Sequence, residues 1–192
     1  MPSEIPPITF GTFFHIYNRG NNGENIFIQA RNYSYFMELW WKHTHPIFET
    51  WAYGLLRNHF HIAGFVKNKE DLSGMKLKEP SQYFSNCFNA YSRGVNLAVG
   101  RTGALFERPF KRIPVTSEAY LMRLIVYIHQ NPQKHKFESD FRDWNYSSYH
   151  ELAANVPTRL QREKVLNLFG SREDLIRIHQ EIHPLNDFED ED

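Results

Sequence analysis

The chain has 192 residues, of which 41% are hydrophobic, and its 16 Phe and 10 Tyr supply enough apolar surface for the core of one domain, which excludes a disordered protein. The single cysteine, Cys87, excludes an internal disulfide, and the lack of a membrane-spanning run or a recognisable secretory leader predicts a soluble, cytoplasmic protein without a membrane partner. The net charge is zero, but residues 1–150 carry 17 Lys and Arg against 12 Asp and Glu, whereas residues 151–192 carry 5 against 10, which indicates either a polyanionic partner or a solvated acidic tail.

The first half of the chain predicts a strand, a helix and a hairpin. A strand at about Thr12–Tyr17 runs into the Asn- and Gly-rich turn "NRGNNG". The apolar spacing of "ARNYSYFMELWWKHT" favours a helix. Two aromatic and β-branched stretches, "FETWAYGLLR" and "HFHIAGFVKN", then predict two strands. The connection between the two strands would consist of Arg57, at the end of the first stretch, and Asn58. Two residues are the length of a tight antiparallel hairpin turn.

The second half predicts two more helices around an extended basic segment. Pro80 or Ser81 begins a helix through "SQYFSNCFNAYSRGVNLAV", and "GRTGALFERPFKRIPV" follows as a turn and an extended stretch. "TSEAYLMRLIVYIHQNP" is the clearest helix, with Thr116 or Ser117 as its cap and Pro132 after its end. "LQREKVLNLFGSREDLIRIHQEIH" predicts one or two further helices, and its "HQEIH" reads as a solvated helix face.

This order of elements predicts an α+β fold. Strand, helix, strand, strand, helix, strand and helix is the ferredoxin-like (RRM-like) pattern, with an antiparallel sheet and helices on one face. We therefore expect one folded domain over residues 1–150 and a helical extension with an acidic tail over residues 151–192.

The stretch "RNHFHIAGF" places two histidines on alternate positions of a predicted strand. Side chains alternate along a strand, so His59 and His61 should share one face while Phe60 packs into the core. Two imidazoles that converge in this way can begin a divalent metal site. The same spacing also fits two exposed histidines or a hydrogen-bonded pair.

The clearest helix carries a second set of polar residues. Tyr127 and Asn131 are four residues apart and share a helix face, with Arg123 one turn earlier. Core packing would explain Tyr127, and a helix stop before proline would explain Asn131. Together with the histidine pair, however, they suggest one composite site.

Four segments, "NHFHI", "GRTGALFERPFKR", "YLMRLIVYIHQNPQKH" and "WNYSSY", resemble the single-tyrosine transposases of the HUH superfamily, in particular the REP-associated tyrosine transposases. The resemblance runs from about Phe13 to Tyr149. The sequence departs from the usual family motif at Leu56 and Arg57, because in that family a Met-Pro commonly precedes the asparagine that corresponds to Asn58.

The resemblance implies a function and a role for each matching residue. Tyr127 matches the nucleophilic tyrosine, His59 and His61 match the histidine pair, and Asn131 matches the residue whose amide oxygen completes the metal site. The implied activity is metal-dependent cleavage and strand transfer of single-stranded DNA through a 5′-phosphotyrosine. Two imidazoles and an amide oxygen suit Mg²⁺ or Mn²⁺ better than a structural zinc.

The expected partner is single-stranded DNA, with hairpin-forming repeats as its source, bound by a monomer or a homodimer. Basic residues would neutralise phosphates, and Phe106 and Phe110 either stack on bases or belong to the core. Asn18 in "NRGNNG" offers amide groups to base edges or to a hairpin stem. The candidate DNA-binding residues are Arg93, Arg101, Arg108, Lys111, Arg112, Arg123, Asn18 and Arg19.

Two other functions stay open from the sequence. A domesticated relative could bind a DNA hairpin without cutting it, and it would keep the basic residues while tolerating loss of Tyr127. A metal-dependent hydrolase could use His59 and His61 with Tyr127 in a structural role, although no carboxylate ligand lies near the pair in the sequence.

Overall fold

A four-stranded antiparallel sheet forms the centre of the computed structural model, which describes residues 5–182, so the predicted acidic tail lies outside the described residues. The strands follow the order β2-β3-β1-β4 across the sheet. Their bounds are β1 Thr12–Arg19, β2 Phe48–Leu55, β3 His59–Val66 and β4 Lys111–Val115. This order, with one helix between β1 and β2 and one between β3 and β4, confirms the predicted ferredoxin-like α+β fold.

Within residues 5–182, three long α-helices and three shorter ones accompany the sheet. The long ones are α1 Ala30–Thr44, α2 Pro80–Val99 and α3 Glu118–Lys134, and the short ones are α4 Tyr149–Ala153, α5 Arg162–Phe169 and α6 Arg172–Glu181. None of the helices between residues 5 and 182 combines the length and the apolar content that crossing a membrane requires.

The two crossover helices cover one face of the sheet, as predicted. Phe36 and Trp40 of α1 and Phe84 of α2 are fully buried against strand residues such as Phe60. Fully burying one large apolar side chain contributes about 1.5–3 kcal/mol, so this aromatic layer is a main source of stability. We call this cluster the α1/α2 core.

The opposite face of the sheet is covered by α3 and by the helices that follow it. Leu124 and Ile125 of α3 are fully buried in a second cluster with Ala63 of β3, Val165 of α5 and Leu175 of α6. We call this cluster the α3 core. It means that residues beyond 150 pack on the same helix that carries the candidate tyrosine.

The hairpin between β2 and β3 has the predicted two-residue turn. The backbone N–H of Leu56 donates to the carbonyl of His59 at 2.8 Å, so Arg57 and Asn58 are its central residues. This turn sets the register in which Gly54 pairs with His61. It thereby fixes where the two histidines lie along the sheet.

Helix α3 begins as predicted but does not end as predicted. Ser117 is its N-cap, since the hydroxyl oxygen accepts from the Tyr120 N–H at 3.2 Å. The helix continues through Pro132 to Lys134, so the expected stop before proline is wrong. Pro132 is buried and lacks only the N–H that would bond to the Ile128 carbonyl, and the tertiary contacts of this buried turn hold the helix together.

Candidate active site

The two candidate metal ligands lie on the face of the sheet that α3 covers. His59 contacts Asn131 of α3 and His61 contacts Tyr127 of the same helix. Phe60 points to the opposite face and is fully buried in the α1/α2 core. The structure therefore brings together the four residues that the sequence analysis proposed for catalysis and metal binding.

His59 is held by two side-chain amides. Its Nδ1 lies 2.8 Å from Oδ1 of Asn58, and its Nε2 lies 3.0 Å from Oδ1 of Asn131. Amide oxygens only accept hydrogen bonds, and a neutral imidazole has one N–H. With the amides in these orientations, a neutral His59 ring can donate to only one of the two oxygens.

His61 is oriented by a histidine that the sequence analysis missed. Nε2 of His15 lies 2.9 Å from Nδ1 of His61, and His15 is fully buried in β1. Tyr17 stacks on both rings, with centroid distances of 4.7 Å to His15 and 5.5 Å to His61. Because Nδ1 faces His15, the His61 atom that would bind a metal is Nε2.

The donor set fits the divalent ion that the resemblance implies. Two ligand atoms at right angles on Mg²⁺, with bonds of about 2.1 Å, are about 3.0 Å apart. The 3.0 Å between His59 Nε2 and Asn131 Oδ1 therefore suits shared coordination as well as a hydrogen bond. Within residues 5–182 no group of three His, Cys, Asp or Glu side chains is placed to hold a metal, and the Asn131 amide oxygen, in contact with His59, is a donor that could serve as a third ligand.

Tyr127 lies beside the histidines but is buried. Its ring centroid is 5.5 Å from that of His61, and only 2% of the residue is exposed. The ammonium group of Lys134, at the last position of α3, lies 5.0 Å from the centroid of the Tyr127 ring. A cation at this distance is attracted to the ring face.

A cavity of about 260 Å³ opens beside the histidine pair, and we call it the histidine pocket. Besides His59 and His61, it is lined by Tyr17, Asn18, Arg19, Asn58, Lys111 and His135. His135 was not singled out from the sequence, although it follows Tyr127 and Asn131 at the same four-residue spacing, and its ring centroid is 4.9 Å from that of His59. That spacing was the signal that could have identified it.

Three of the predicted DNA-binding residues, Asn18, Arg19 and Lys111, line the histidine pocket. Arg19 forms an ion pair with Glu107 at 3.1 Å, and the Asn18 amide donates to the Glu107 carbonyl at 3.2 Å. These contacts position the end of β1 against the segment that precedes β4.

A second groove of about 610 Å³ runs between α2 and residues 103–112. It contains the predicted residues Arg108 and Arg112 and shares Asn18 with the histidine pocket. One side of it is a row of polar residues on α2 at helical spacing, which the sequence analysis missed: Ser81, Ser85, Asn89 and Ser92. Arg112 also donates to the Pro6 carbonyl at 2.7 Å, and partial burial lowers the pKa of its guanidinium.

The remaining candidates lie apart from both cavities. Arg93 and Arg123 are exposed and line neither one. Arg101 forms an ion pair with Glu24 at 2.5 Å and donates to the Ala104 carbonyl at 3.1 Å, which holds the turn before the basic segment.

The two phenylalanines of the basic segment belong to the core. Phe106 is 5% exposed and Phe110 is 8% exposed, and both pack against Phe88 of α2. Of the two roles that the sequence left open, core packing is therefore confirmed for both rings.

Comparison with known proteins places this geometry in context. The chain matches no protein-family model. A protein from Haemophilus influenzae that carries the name REP-associated tyrosine transposase is 26% identical over 108 residues, which are 55% of this chain. The match covers 61% of that relative's length.

The solved structure of a REP-associated tyrosine transposase bound to a REP hairpin superposes with a TM-score of 0.61 at 19% identity, over 82% of this chain and 88% of that chain. The predicted resemblance is confirmed.

The similarity to REP-associated tyrosine transposases applies to most of the fold. The structural match covers 82% of the chain, which is a larger share than residues 1–150 make up, so it includes part of the chain beyond residue 150. At 19% identity it establishes a shared fold, and the activity has to be argued from the residues of the site.

Proposed function

We propose that the chain cleaves and rejoins single-stranded DNA as a transposase of the REP-associated tyrosine type. The observation that carries the proposal is the convergence of His59 and His61 from β3 with Tyr127 and Asn131 from α3. These are the residue types that this chemistry needs, and they come from two elements that are distant in sequence. The hairpin DNA bound to the structural relative suggests the same class of partner here.

The proposed reaction is a transfer of a phosphodiester bond to the protein. The Tyr127 oxygen forms a bond to a DNA phosphorus, the bond from that phosphorus to the 3′ oxygen breaks, and the 3′ oxygen leaves with a proton as a hydroxyl. The DNA 5′ phosphate is then linked to Tyr127. A second 3′ hydroxyl can reverse the step, so the rejoining needs no external energy source.

The surrounding residues would hold the reactants. His59 Nε2, His61 Nε2 and Asn131 Oδ1 would bind Mg²⁺ or Mn²⁺, which supplies Lewis-acid stabilisation of the phosphate. His15 keeps His61 in the required orientation, and Lys111 and Arg19 place positive charge around the pocket. Because Tyr127 is 2% exposed, its hydroxyl must gain access to the phosphate when DNA binds.

That burial is also the observation that favours a second candidate, a protein that binds DNA hairpins without cleaving them. A hydrolase that uses the histidines alone has less support, because no acidic residue among residues 5–182 lines the histidine pocket.

The test is formation of a covalent adduct. Labelled single-stranded DNA from hairpin repeats that flank the gene is incubated with the protein and Mn²⁺ or EDTA, and products are separated under denaturing conditions. We expect an adduct that needs the metal and disappears in Tyr127→Phe. Tyr120→Phe, which removes a hydroxyl from the same helix two turns earlier, is the control and should retain the adduct. Tight hairpin binding without an adduct under any metal would support the second candidate instead.

A further inference from the structure

Two residues of α3 between the candidate tyrosine and the candidate ligand Asn131 contact α6 instead of the histidine pocket. His129 is fully buried, and its Nδ1 lies 2.7 Å from Nε2 of His179. The side-chain amide of Gln130 donates to the carbonyls of His179 and Ile182, both at 2.7 Å. Helix α6 is therefore attached to α3 by directional polar contacts as well as by apolar packing.

These contacts form a chain with one consistent direction. His179 Nδ1 lies 2.7 Å from the Leu175 carbonyl, which only accepts, so Nδ1 carries the proton and Nε2 is an acceptor. His129 Nδ1 must then donate to His179, which leaves His129 Nε2 as an acceptor for the Ser148 hydroxyl at 2.7 Å. The Ser148 oxygen accepts in turn from the Tyr53 N–H at 2.8 Å. We call Tyr53, Ser148, His129 and His179 the buried hydrogen-bond chain.

The single proton of Ser148 has two acceptors within reach. The contact with His129 Nε2, at 2.7 Å, is shorter than the contact with the Tyr53 carbonyl, at 3.2 Å. The shorter one also gives the imidazole the donor that its tautomer requires. Both rings can therefore stay neutral with every nitrogen hydrogen-bonded, which is the arrangement that a dry interior favours.

The buried hydrogen-bond chain holds the side of α3 that faces away from the candidate tyrosine. His129 follows Tyr127 by two residues, which turns it by about 200° around the helix axis. At its other end the chain reaches the backbone of Tyr53 in β2, next to Gly54, which pairs with His61. It therefore connects α6, α3 and the strand beside the histidine strand.

We propose that the buried hydrogen-bond chain sets the rotation of α3 about its axis and thereby positions Tyr127 and Asn131 against His59 and His61. The inference rests on the proposed function. His129, Ser148 and His179 are positioning residues, since none of them lines the histidine pocket. The proposal gives α6 a role in the reaction, although α6 lies outside the segments that carried the resemblance in sequence.

Apolar packing by itself would not give this control. Leu175 of α6 is also fully buried in the α3 core, and such contacts keep the two helices together. Apolar attraction is non-directional, however, and would tolerate a small rotation of α3. Hydrogen bonds lose strength steeply when their angles change, so the chain restricts that rotation.

Three variants separate positioning from packing. His179→Leu removes the acceptor for His129, and His179→Gln offers an amide oxygen to His129 and an N–H to the Leu175 carbonyl. Leu175→Ala weakens the packing of α6 but keeps the buried hydrogen-bond chain. For each variant, at a temperature where it is folded, the rate of adduct formation at saturating DNA, the hairpin Kd and the Kd for Mn²⁺ without DNA (by electron paramagnetic resonance) are measured.

We expect His179→Leu to slow adduct formation and to weaken Mn²⁺ binding by about 10-fold or more, the usual effect of losing a residue that orients a metal ligand. The hairpin Kd should stay unchanged, and His179→Gln should recover most of the rate and of the Mn²⁺ affinity. Leu175→Ala should lower stability and leave the adduct rate and the Mn²⁺ affinity near those of the unsubstituted chain.

Two results would overturn the inference. One is that His179→Leu keeps its adduct rate and Mn²⁺ affinity. The other is that Leu175→Ala, compared at equal folded fraction, loses as much of both as His179→Leu, which would make the effect one of packing. Absence of both adduct and Mn²⁺ binding in the unsubstituted chain would instead refute the proposed function, and the inference with it.

Discussion

Gly54 shows how one residue allows the candidate site to assemble. It pairs with His61 in the sheet, and a Cβ atom at this position would lie 2.6 Å from the Ile128 carbonyl oxygen of α3. Only glycine permits so close an approach between the helix and the strand. The helix that carries Tyr127 can therefore rest directly on the sheet beside the histidines.

Replacing Gly54 with Ala should push α3 away from the sheet at the level of His61. We expect a loss of about 1–3 kcal/mol in the free energy of unfolding, as for other overpacked sites, together with a marked loss of adduct formation. The control is Gly74→Ala, which has no atom within 4 Å of the added Cβ but a φ of 86°. It should cost about 1–2 kcal/mol of backbone strain and keep the adduct rate. Equal adduct rates in the two variants would contradict this account.

The residues of the site differ in how well the sequence predicted them. His59 and His61 share a face because strand alternation is a local rule, and Tyr127 and Asn131 share one because helix periodicity is local as well. His15 was missed because its contact with His61 depends on the pairing of β1 with β3. Strand register of this kind joins residues 46 positions apart, and no local pattern in the sequence contains it.

At the scale of elements, α6 is the helix that the sequence described least well. The segment "HQEIH" was interpreted as a solvated face, but His179 is fully buried; His183 lies outside the described residues. Leu175 and His179 are four residues apart and form the buried face of α6. A polar side chain becomes acceptable there because His129 and the Leu175 carbonyl satisfy both ring nitrogens.

The burial of α6 predicts a pH dependence of stability. Burial lowers the pKa of His179 to about 4, although the hydrogen bond to the Leu175 carbonyl acts in the opposite direction. Burial, and then the nearby His179 and His150, also lower the pKa of His129 well below its usual range. Among the residues that the structure describes, the titratable side chain of Tyr149 also lies against the His179 ring, with a centroid distance of 5.3 Å. A histidine with a lowered folded-state pKa contributes stability that is complete above pH 6.5 and is lost as the pH falls towards 4.

We therefore expect the free energy of unfolding to fall between about pH 6.5 and pH 4, with a contribution from His179 of about 3 kcal/mol. Urea unfolding followed by circular dichroism at several pH values measures it. His179→Gln should show a shallower fall, because a glutamine side chain cannot titrate. Carboxylate protonation affects both proteins equally, so the difference between the two curves is the contribution of His179. Parallel curves for the two proteins would mean that His179 does not carry this dependence.

At the scale of the molecule, the sheet separates two cores that contain different parts of the chain. The α1/α2 core contains the crossover helices, and the α3 core joins α3 to α5 and α6. The predicted division at residue 150 stays a prediction, but the helices on either side of it share one apolar cluster. Elements that share a cluster usually unfold together.

This sharing predicts one cooperative unfolding transition that includes the extension. Native-state hydrogen exchange should give the amides of α5 and α6 opening free energies close to the global value from urea unfolding. The amides of the hydrogen-bonded strand β3 provide the reference for global opening. If α5 and α6 opened at a much lower free energy than β3, residues 151–182 would behave as a separate unit.

The sequence by itself determined the kinds of elements, their order, the ferredoxin-like fold and the fact that His59 and His61 share a face, because these follow from hydrophobic periodicity and from local turn chemistry. The tertiary structure decided that α3 continues through Pro132, that Phe106 and Phe110 are core residues, and that His15 and His179 are buried partners of other histidines. These features depend on which surfaces meet, and that is settled by packing between elements far apart in the chain. The candidate site is the place where the two kinds of information combine.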